Sequence, residues 1–250
     1  MYNRVKTTEE VANLRISGRM LATVLEQLKL AMREGVTTKE LAQKAAVELR
    51  KLGGKPAFLG YQGFPDVLCV SVNDEVVHGI PGDRILKKGD IVGLDFGVNY
   101  NGMITDSAIS VIVGTTGDQR LKTLLTTTER AMLAGIGVVR NGVTTGDIGA
   151  AVQAVLDKEH LGIVRDLVGH GVGHDLHEDP NVPNYGRAGS GDILKTGMTI
   201  AIEPMATLGG DDVYIDQDKW TIKTRDGSMA AHFEHTILVT KDSAEILTKL

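Results

Sequence analysis

Apolar residues follow two different periods along this chain, and the two periods alternate. Leu41, Ala45, Leu49 and Leu52 recur every three or four residues, as do Ile148, Val152, Val155 and Leu156. That spacing lays one apolar stripe along a helix. Each stripe begins after a threonine followed three residues later by an acid, Thr37 with Glu40 and Thr144 with Asp147. Such pairs satisfy the first free N–H groups of a helix reciprocally and so mark its N-terminus. A further helix is expected ahead of each, over roughly 8–33 and 118–139, the first opening with its own Thr7–Glu10 pair. Elsewhere apolar residues cluster without a helical period. The runs at 67–72 (VLCVSV), 91–98 (IVGLDFGV), 103–114 (MITDSAISVIVG), 199–203 (TIAIE) and 235–240 (HTILVT) read as strands.

The order helix, helix, strand, strand occurs twice, and stretches of sequence recur with it. Gly-Val-Thr-Thr stands at 35–38 and again at 142–145, an offset of 107. Leu-Lys-x-Gly opens both LKKGDIVGLDFG at 86–97 and LKTGMTIAIEP at 194–204, an offset of 108. Matched blocks in one order at nearly one offset point to duplication. The expected fold is α+β, with two pseudo-symmetric α-α-β-β halves, roughly 8–114 and 118–241, around a central antiparallel sheet. No low-complexity linker separates the halves, so residues 1–250 are expected to form a single domain.

The duplicated strands each carry one acid, Asp95 in the first and Glu203 in the second. The Asn-Gly at 101–102 is a strong hairpin signal. With those residues as the turn, Gly97 pairs with Asp106 and Asp95 with Ala108. Asp95 and Asp106 then share a face as diagonal neighbours, roughly 7–8 Å apart at the backbone. Glu203 and Glu234 are the matching acids of the second half. Four buried carboxylates repel unless positive charge lies between them or protons neutralise them. Two divalent cations balance four such charges. Carboxylates with an imidazole and no thiolate suit Mn²⁺, Fe²⁺, Co²⁺ or Zn²⁺. The imidazole is expected from GHGVGHDLHEDP at 169–180, which holds His170, His174 and His177 in a segment too glycine-rich for a stable helix.

Composition narrows the setting. Hydrophobic residues make up 42% and charged residues 24%, and the net charge of −5 disfavours nucleic acid or an anionic membrane as partner. The one cysteine, Cys69, excludes an internal disulfide, and no apolar run approaches a membrane span or a secretory signal. A cytoplasmic, monomeric protein is expected.

The motifs together resemble the type I methionine aminopeptidases. They are YQGFP at 61–65, CVSVNDEVVHGIP at 69–81, DFG at 95–97, NGMITDSA at 101–108, GHGVGHDLHEDP, IAIEPM at 200–205 and FEHTILV at 233–239. The resemblance runs from GRML at 18–21 to the end of the last strand. It implies the pita-bread fold around a dinuclear metal site, with Asp95, Asp106, His170, Glu203 and Glu234 as ligands. It further implies that His78 lies near the scissile amide nitrogen, that His177 donates to the scissile carbonyl oxygen, and that His174 has no catalytic role. Its activity would be removal of the N-terminal methionine from nascent proteins, with preference for a small second residue. A hydroxide bridging the two metals would attack the first peptide bond, and Glu203 would act as general base. Peptide or nascent-chain N-termini are the implied partners, with the ribosome as a candidate. The methionine pocket would be walled by Phe58, Tyr61, Phe64, Cys69, Leu176 and Trp220. Relatives often carry Cys, Tyr and Phe where this chain has Phe58, Phe64 and Leu176, which keeps the pocket apolar but alters its shape. The eukaryotic zinc-binding extension is not seen, so the short bacterial form is expected.

Two other readings compete. Xaa-Pro aminopeptidases and prolidases share this fold and similar ligands but usually carry a large additional N-terminal domain. A non-catalytic binding module would have no need of five intact ligand positions and two auxiliary histidines.

Overall fold

The computed structural model describes residues 5–250. Four long helices and a set of antiparallel strands build it. Helices α1 (Thr8–Ala31) and α2 (Thr38–Leu52) precede the first strands, and α3 (Gln119–Val138) and α4 (Thr145–Leu156) precede the second set. All three expected capping boxes are present: Thr7 with Glu10, Thr37 with Glu40, and Thr144 with Asp147. The helix ends fall within two residues of their expected positions. Leu52 is the exception on its stripe, exposed because it is the last residue before the left-handed Gly53 that stops α2.

In the first half, strand Ile91–Tyr100 pairs over its whole length with Met103–Ile112. Its other edge takes Cys69–Val72 and the short Lys55–Pro56. The register is the one the Asn-Gly turn dictates, with Tyr100 opposite Met103, Gly97 opposite Asp106 and Asp95 opposite Ala108. Alternation then sorts the strand. Val92, Leu94, Phe96 and Val98 enter a core with Leu21, Val24 and Leu28 of α1 and Leu41, Ala45 and Leu49 of α2. Asp95 and Gly97 point the opposite way.

The second half repeats this plan with a five-stranded sheet. Its strands run Ala244–Ile246, His235–Val239, Thr199–Ile202, Gly169–Gly171 and Glu178–Val182 in spatial order. Ile200, Ile202, Ile237 and Val239 pack against Leu124 and Ala131 of α3 and Ile148 and Val152 of α4. The two sheets meet at the pseudo-twofold axis, where Ala108 and Glu234 exchange backbone hydrogen bonds. Ser107, Ser110 and Thr236 add hydroxyl bonds to the facing backbone there.

Between the matched acids the second half is longer. The offset is 108 from Asp95 to Glu203 but 128 from Asp106 to Glu234, a difference of 20 residues. The residues between Glu203 and Glu234 form strands Met205–Thr207, Val213–Ile215, Ile222–Thr224 and Ala230–His232 in two small sheets. These strands carry Trp220 toward the first half.

Candidate metal centre and its cleft

The outward face of strand Ile91–Tyr100 and its partner becomes the floor of a cleft of about 770 Å³, its open mouth included. Asp95, Asp106, His170, Glu203 and Glu234 all line it, as do His78, His177, Phe58, Tyr61, Phe64, Cys69, Leu176 and Trp220. The tertiary structure therefore brings every expected site residue to one place. The five expected ligands are 8% exposed or less. Their backbone comes from four places in the sheets: the middle of the hairpin that bears Asp95 and Asp106, the Gly169–Gly171 strand, and the points where Thr199–Ile202 ends and His235–Val239 begins.

Charge is the central feature. Burial pushes the carboxyls of Asp95, Glu203 and Glu234 far above the usual carboxylate range, and the neighbouring Asp106 adds repulsion to each. Burial also lifts Asp106 itself to about 7. Asp95 Oδ1, Asp106 Oδ1 and Glu234 Oε1 are buried without any hydrogen-bond partner. Orphaned buried oxygens are costly, and several converging in one spot mark a place built for a cation.

His170 sharpens the case. Its Nδ1 lies 2.9 Å from the carbonyl oxygen of Gly171, which can only accept, so Nδ1 carries the hydrogen. Burial holds the ring neutral, with its pKa lowered to about 3. Nε2 therefore presents a lone pair, and it faces Glu203 Oε1 at 3.3 Å. An imidazole lone pair and a carboxylate oxygen facing each other need a proton or a metal between them. Asp106, His170 and Glu234 moreover each offer one atom within 4.8 Å of the others. The donor set is oxygen with one imidazole, which suits a hard to borderline divalent cation.

The apolar wall is a separate cluster. Phe58, Phe64, Cys69, Ile104, Val172 and Leu176 pack together, with Tyr61 and Trp220 against them. Phe64 meets the Trp220 ring edge-on at 5.2 Å between centroids and Phe58 at 6.5 Å. Gly97 makes room for Phe58, because a Cβ there would stand 2.6 Å from the ring. Burial pushes the Cys69 thiol well up, so it is a neutral wall residue, not a thiolate ligand.

The auxiliary histidines differ in setting. His78 adopts φ 60° and is held neutral by burial, its pKa lowered to about 4. His177 sits 4.2 Å from the His170 ring, centroid to centroid, and its Nδ1 meets the Tyr61 hydroxyl at 2.8 Å. His174 is not among the residues lining the cleft, and its Nε2 pairs with Glu10 Oε1 at 2.7 Å.

One residue escaped the sequence reading. His232 is 2% exposed, and its Nε2 has no hydrogen-bond partner and stands 3.6 Å from Glu203 Oε2. A histidine two residues before Glu234 was the available signal, but its orientation depends on the bonds between its backbone and Ser110. The pairing of the second acids also differs from that of the first. His235 lies opposite Ile202, and carrying that register on by one residue sets Glu203 opposite Glu234. Asp95 and Asp106 are diagonal instead.

The chain is similar to known proteins over nearly its whole length. The sequence pattern of metallopeptidase family M24 matches residues 12–241. Methionine aminopeptidase 1 of Bacillus subtilis is 45% identical over 245 residues, covering 98% of each chain. The methionine aminopeptidase of Treponema pallidum is 42% identical over 247 residues, with 98% of this chain and 96% of the relative covered. The crystal structure of methionine aminopeptidase from Thermotoga maritima superposes with a TM-score of 0.97 at 43% identity, covering 99% of both chains. The prolidase of Pyrococcus furiosus shares the fold at a TM-score of 0.80 but only 22% identity, over 99% of this chain and 66% of that one.

Proposed function

The chain belongs to metallopeptidase family M24, and from that premise we propose that it is an aminopeptidase that removes N-terminal methionine, with Asp95, Asp106, His170, Glu203 and Glu234 holding two divalent cations. The observation that carries this reading is the convergence of orphaned carboxylate oxygens and the His170 lone pair at the floor of an apolar cleft. Cations bound there would balance the carboxylates, polarise a scissile carbonyl and make water nucleophilic near neutral pH.

The chain's own residues perform the remaining work. The Phe58–Trp220 cluster takes the methionine side chain out of water, a gain of about 1.5–3 kcal/mol. Its shape can discriminate a single methylene by only ~1–3 kcal/mol, so selectivity depends on the whole wall. A cation held by these residues would take the substrate's free, neutral amine as a ligand, which would restrict cleavage to the first peptide bond. Glu203 accepts a proton from the attacking water and passes it to the departing amine. His177 donates to the carbonyl oxygen as negative charge develops on it, and His78 faces the amide nitrogen. Both rings lose basicity on burial, so each is neutral near pH 7.

No helix among the described residues is long and apolar enough to cross a membrane. In this reading the protein acts as a monomer in the cytoplasm on peptide or nascent-chain N-termini, with the ribosome, where those termini emerge, as its candidate partner.

The test strips the protein with chelator, restores Mn²⁺ or Co²⁺, and offers Met-Gly-, Met-Lys- and Ala-Pro-headed peptides. Methionine release from Met-Gly- but not Met-Lys-, dependent on two equivalents of metal, is the expected result. Cleavage mainly of Ala-Pro- would move the assignment to a proline-directed enzyme, and folded, metal-loaded protein that cleaves nothing would remove the catalytic reading.

A further inference from the structure

Tyr61 belongs to the apolar wall, yet it ends in a hydroxyl placed 2.8 Å from His177 Nδ1. Its position is fixed locally. Gly60 takes a left-handed turn at φ 82°, Tyr61 N–H donates to the Phe58 carbonyl, and Phe64 N–H donates back to the Tyr61 carbonyl. The phenol ring also lies against the imidazole, 5.4 Å between centroids and tilted by 35°. Such a contact constrains both where His177 points and which nitrogen bears its hydrogen.

A neutral imidazole carries one N–H, and the two ring nitrogens have opposite capacities. A phenol oxygen can donate or accept, so the Tyr61–His177 bond is compatible with either tautomer. The reaction is not indifferent to the choice. With Nδ1 engaged by Tyr61, Nε2 is the nitrogen left for substrate. To donate to a developing oxyanion, Nε2 must hold the hydrogen, Nδ1 must be the acceptor, and Tyr61 must be the donor.

We propose that Tyr61 is a positioning residue whose hydroxyl donates to His177 Nδ1, fixing the imidazole in the Nε2–H tautomer and aiming that N–H at the scissile carbonyl oxygen. This role rests on the aminopeptidase reading and gives Tyr61 a function that a phenylalanine of the same shape would lack. No proton is lost or gained at Tyr61 in the cycle, because the hydroxyl orients the ring and His177 returns to the same tautomer after each turnover.

The experiment combines ¹⁵N NMR of the histidine side chains with kinetics of Tyr61→Phe on a Met-Gly- peptide. The wild-type His177 should show an unprotonated Nδ1 and a protonated Nε2. Tyr61→Phe should lower kcat about tenfold while KM stays within about twofold, the pattern of an interaction strengthened in the transition state. In a His177→Ala background, Tyr61→Phe should add no further loss, because its partner is gone. A protonated Nδ1 in the wild type overturns the proposal. So does an unchanged kcat, or an equal loss in the His177→Ala background, which would make Tyr61 a wall residue only. A wild-type enzyme that releases no methionine with metal restored would fail the aminopeptidase reading, and the NMR result remains a separate readout of the tautomer.

Discussion

Ala108 and Glu234 exchange two backbone hydrogen bonds, 2.9 Å from Glu234 N–H and 3.3 Å from Ala108 N–H. These two bonds join the halves beside the candidate site, among other backbone bonds that cross between them, such as Ile104 N–H to the Gly173 carbonyl. They lie two residues from Asp106 and at Glu234 itself, so this junction between the sheets and the candidate metal centre are the same place. The register continues on both sides. Asp106 N–H donates to the Thr236 hydroxyl at 2.8 Å, and His232 N–H donates to the Ser110 hydroxyl at 2.9 Å. Side-chain hydroxyls replace the carbonyl partners that an ordinary ladder would supply, which fixes Asp106, His232 and Glu234 relative to one another.

His232 should act on the metal centre through Glu203. With Nε2 3.6 Å from Glu203 Oε2 and no other partner, its N–H is the group available to orient that carboxylate. His232→Leu is expected to weaken binding of Mn²⁺ by roughly 10- to 100-fold, the usual effect of removing a group that orients a ligand. His232→Gln, which keeps an N–H donor, should retain most of the affinity. Titration calorimetry reads both, and equal affinities for wild type and the leucine variant would remove His232 from this role.

Lys6 should matter far beyond its position near the start of the chain. Its Nζ pairs with Glu178 Oε2 at 2.6 Å, with the two side chains 0% and 2% exposed. Glu178 Oε1 accepts from His174 N–H at 2.6 Å, so the same acid braces the loop that bears Leu176 and His177. The lysine stem crosses Gly173, where φ is 150° and a Cβ would collide with it. Lys6→Met leaves Glu178 buried without its cation, at a cost of about 3–5 kcal/mol. Differential scanning calorimetry should show a fall in Tm of roughly 10 °C. An unchanged Tm would mean that the pair contributes nothing net.

Gly97→Ala tests how the pocket wall is seated. The new methyl would stand 2.6 Å from Phe58, which has to turn toward the cleft. Overpacking of this kind costs ~1–3 kcal/mol. The expected outcome is a KM for Met-Gly- peptides raised about tenfold with kcat nearly unchanged, since the acids do not move. A variant with wild-type KM would show that Phe58 has free space behind it.

Glu10 should set part of the acid limb of stability. The backbone N–H of Thr7, then His174, holds its carboxyl at about 2. A folded pKa below the unfolded value gives stability that is full above about 4.5 and disappears as pH falls through about 2. Glu10 is partly solvated, so the contribution is about 1 kcal/mol. Glu10→Gln should therefore be less stable than wild type at pH 7 and equal to it near pH 2, judged by urea midpoints. A gap that persists at low pH would point to the hydrogen bonds and not the charge.

Much of this protein could be read from local chemistry. Thr-x-x-acid pairs fix helix starts because they satisfy neighbouring N–H groups, and all three behave so at Thr7, Thr37 and Thr144. The Asn-Gly turn has few alternatives, so it sets the hairpin register and with it the shared face of Asp95 and Asp106. The repeat offset paired Asp95 with Glu203 because duplication preserves order along the chain. Tertiary structure decided what depends on meetings between distant segments. The residues between Glu203 and Glu234 build two small sheets that change the pairing of the second acids and deliver Trp220 to the pocket. The Tyr61–His177 contact, the approach of His232 to Glu203 and the Lys6–Glu178 pair each span more than twenty residues of chain. No local turn or period encodes such contacts. The first and the last exist because the two halves close on one axis. The second exists because the added strands pair Met205 with His232 and bring that ring back beside Glu203. Together these meetings bury the charges that make the site.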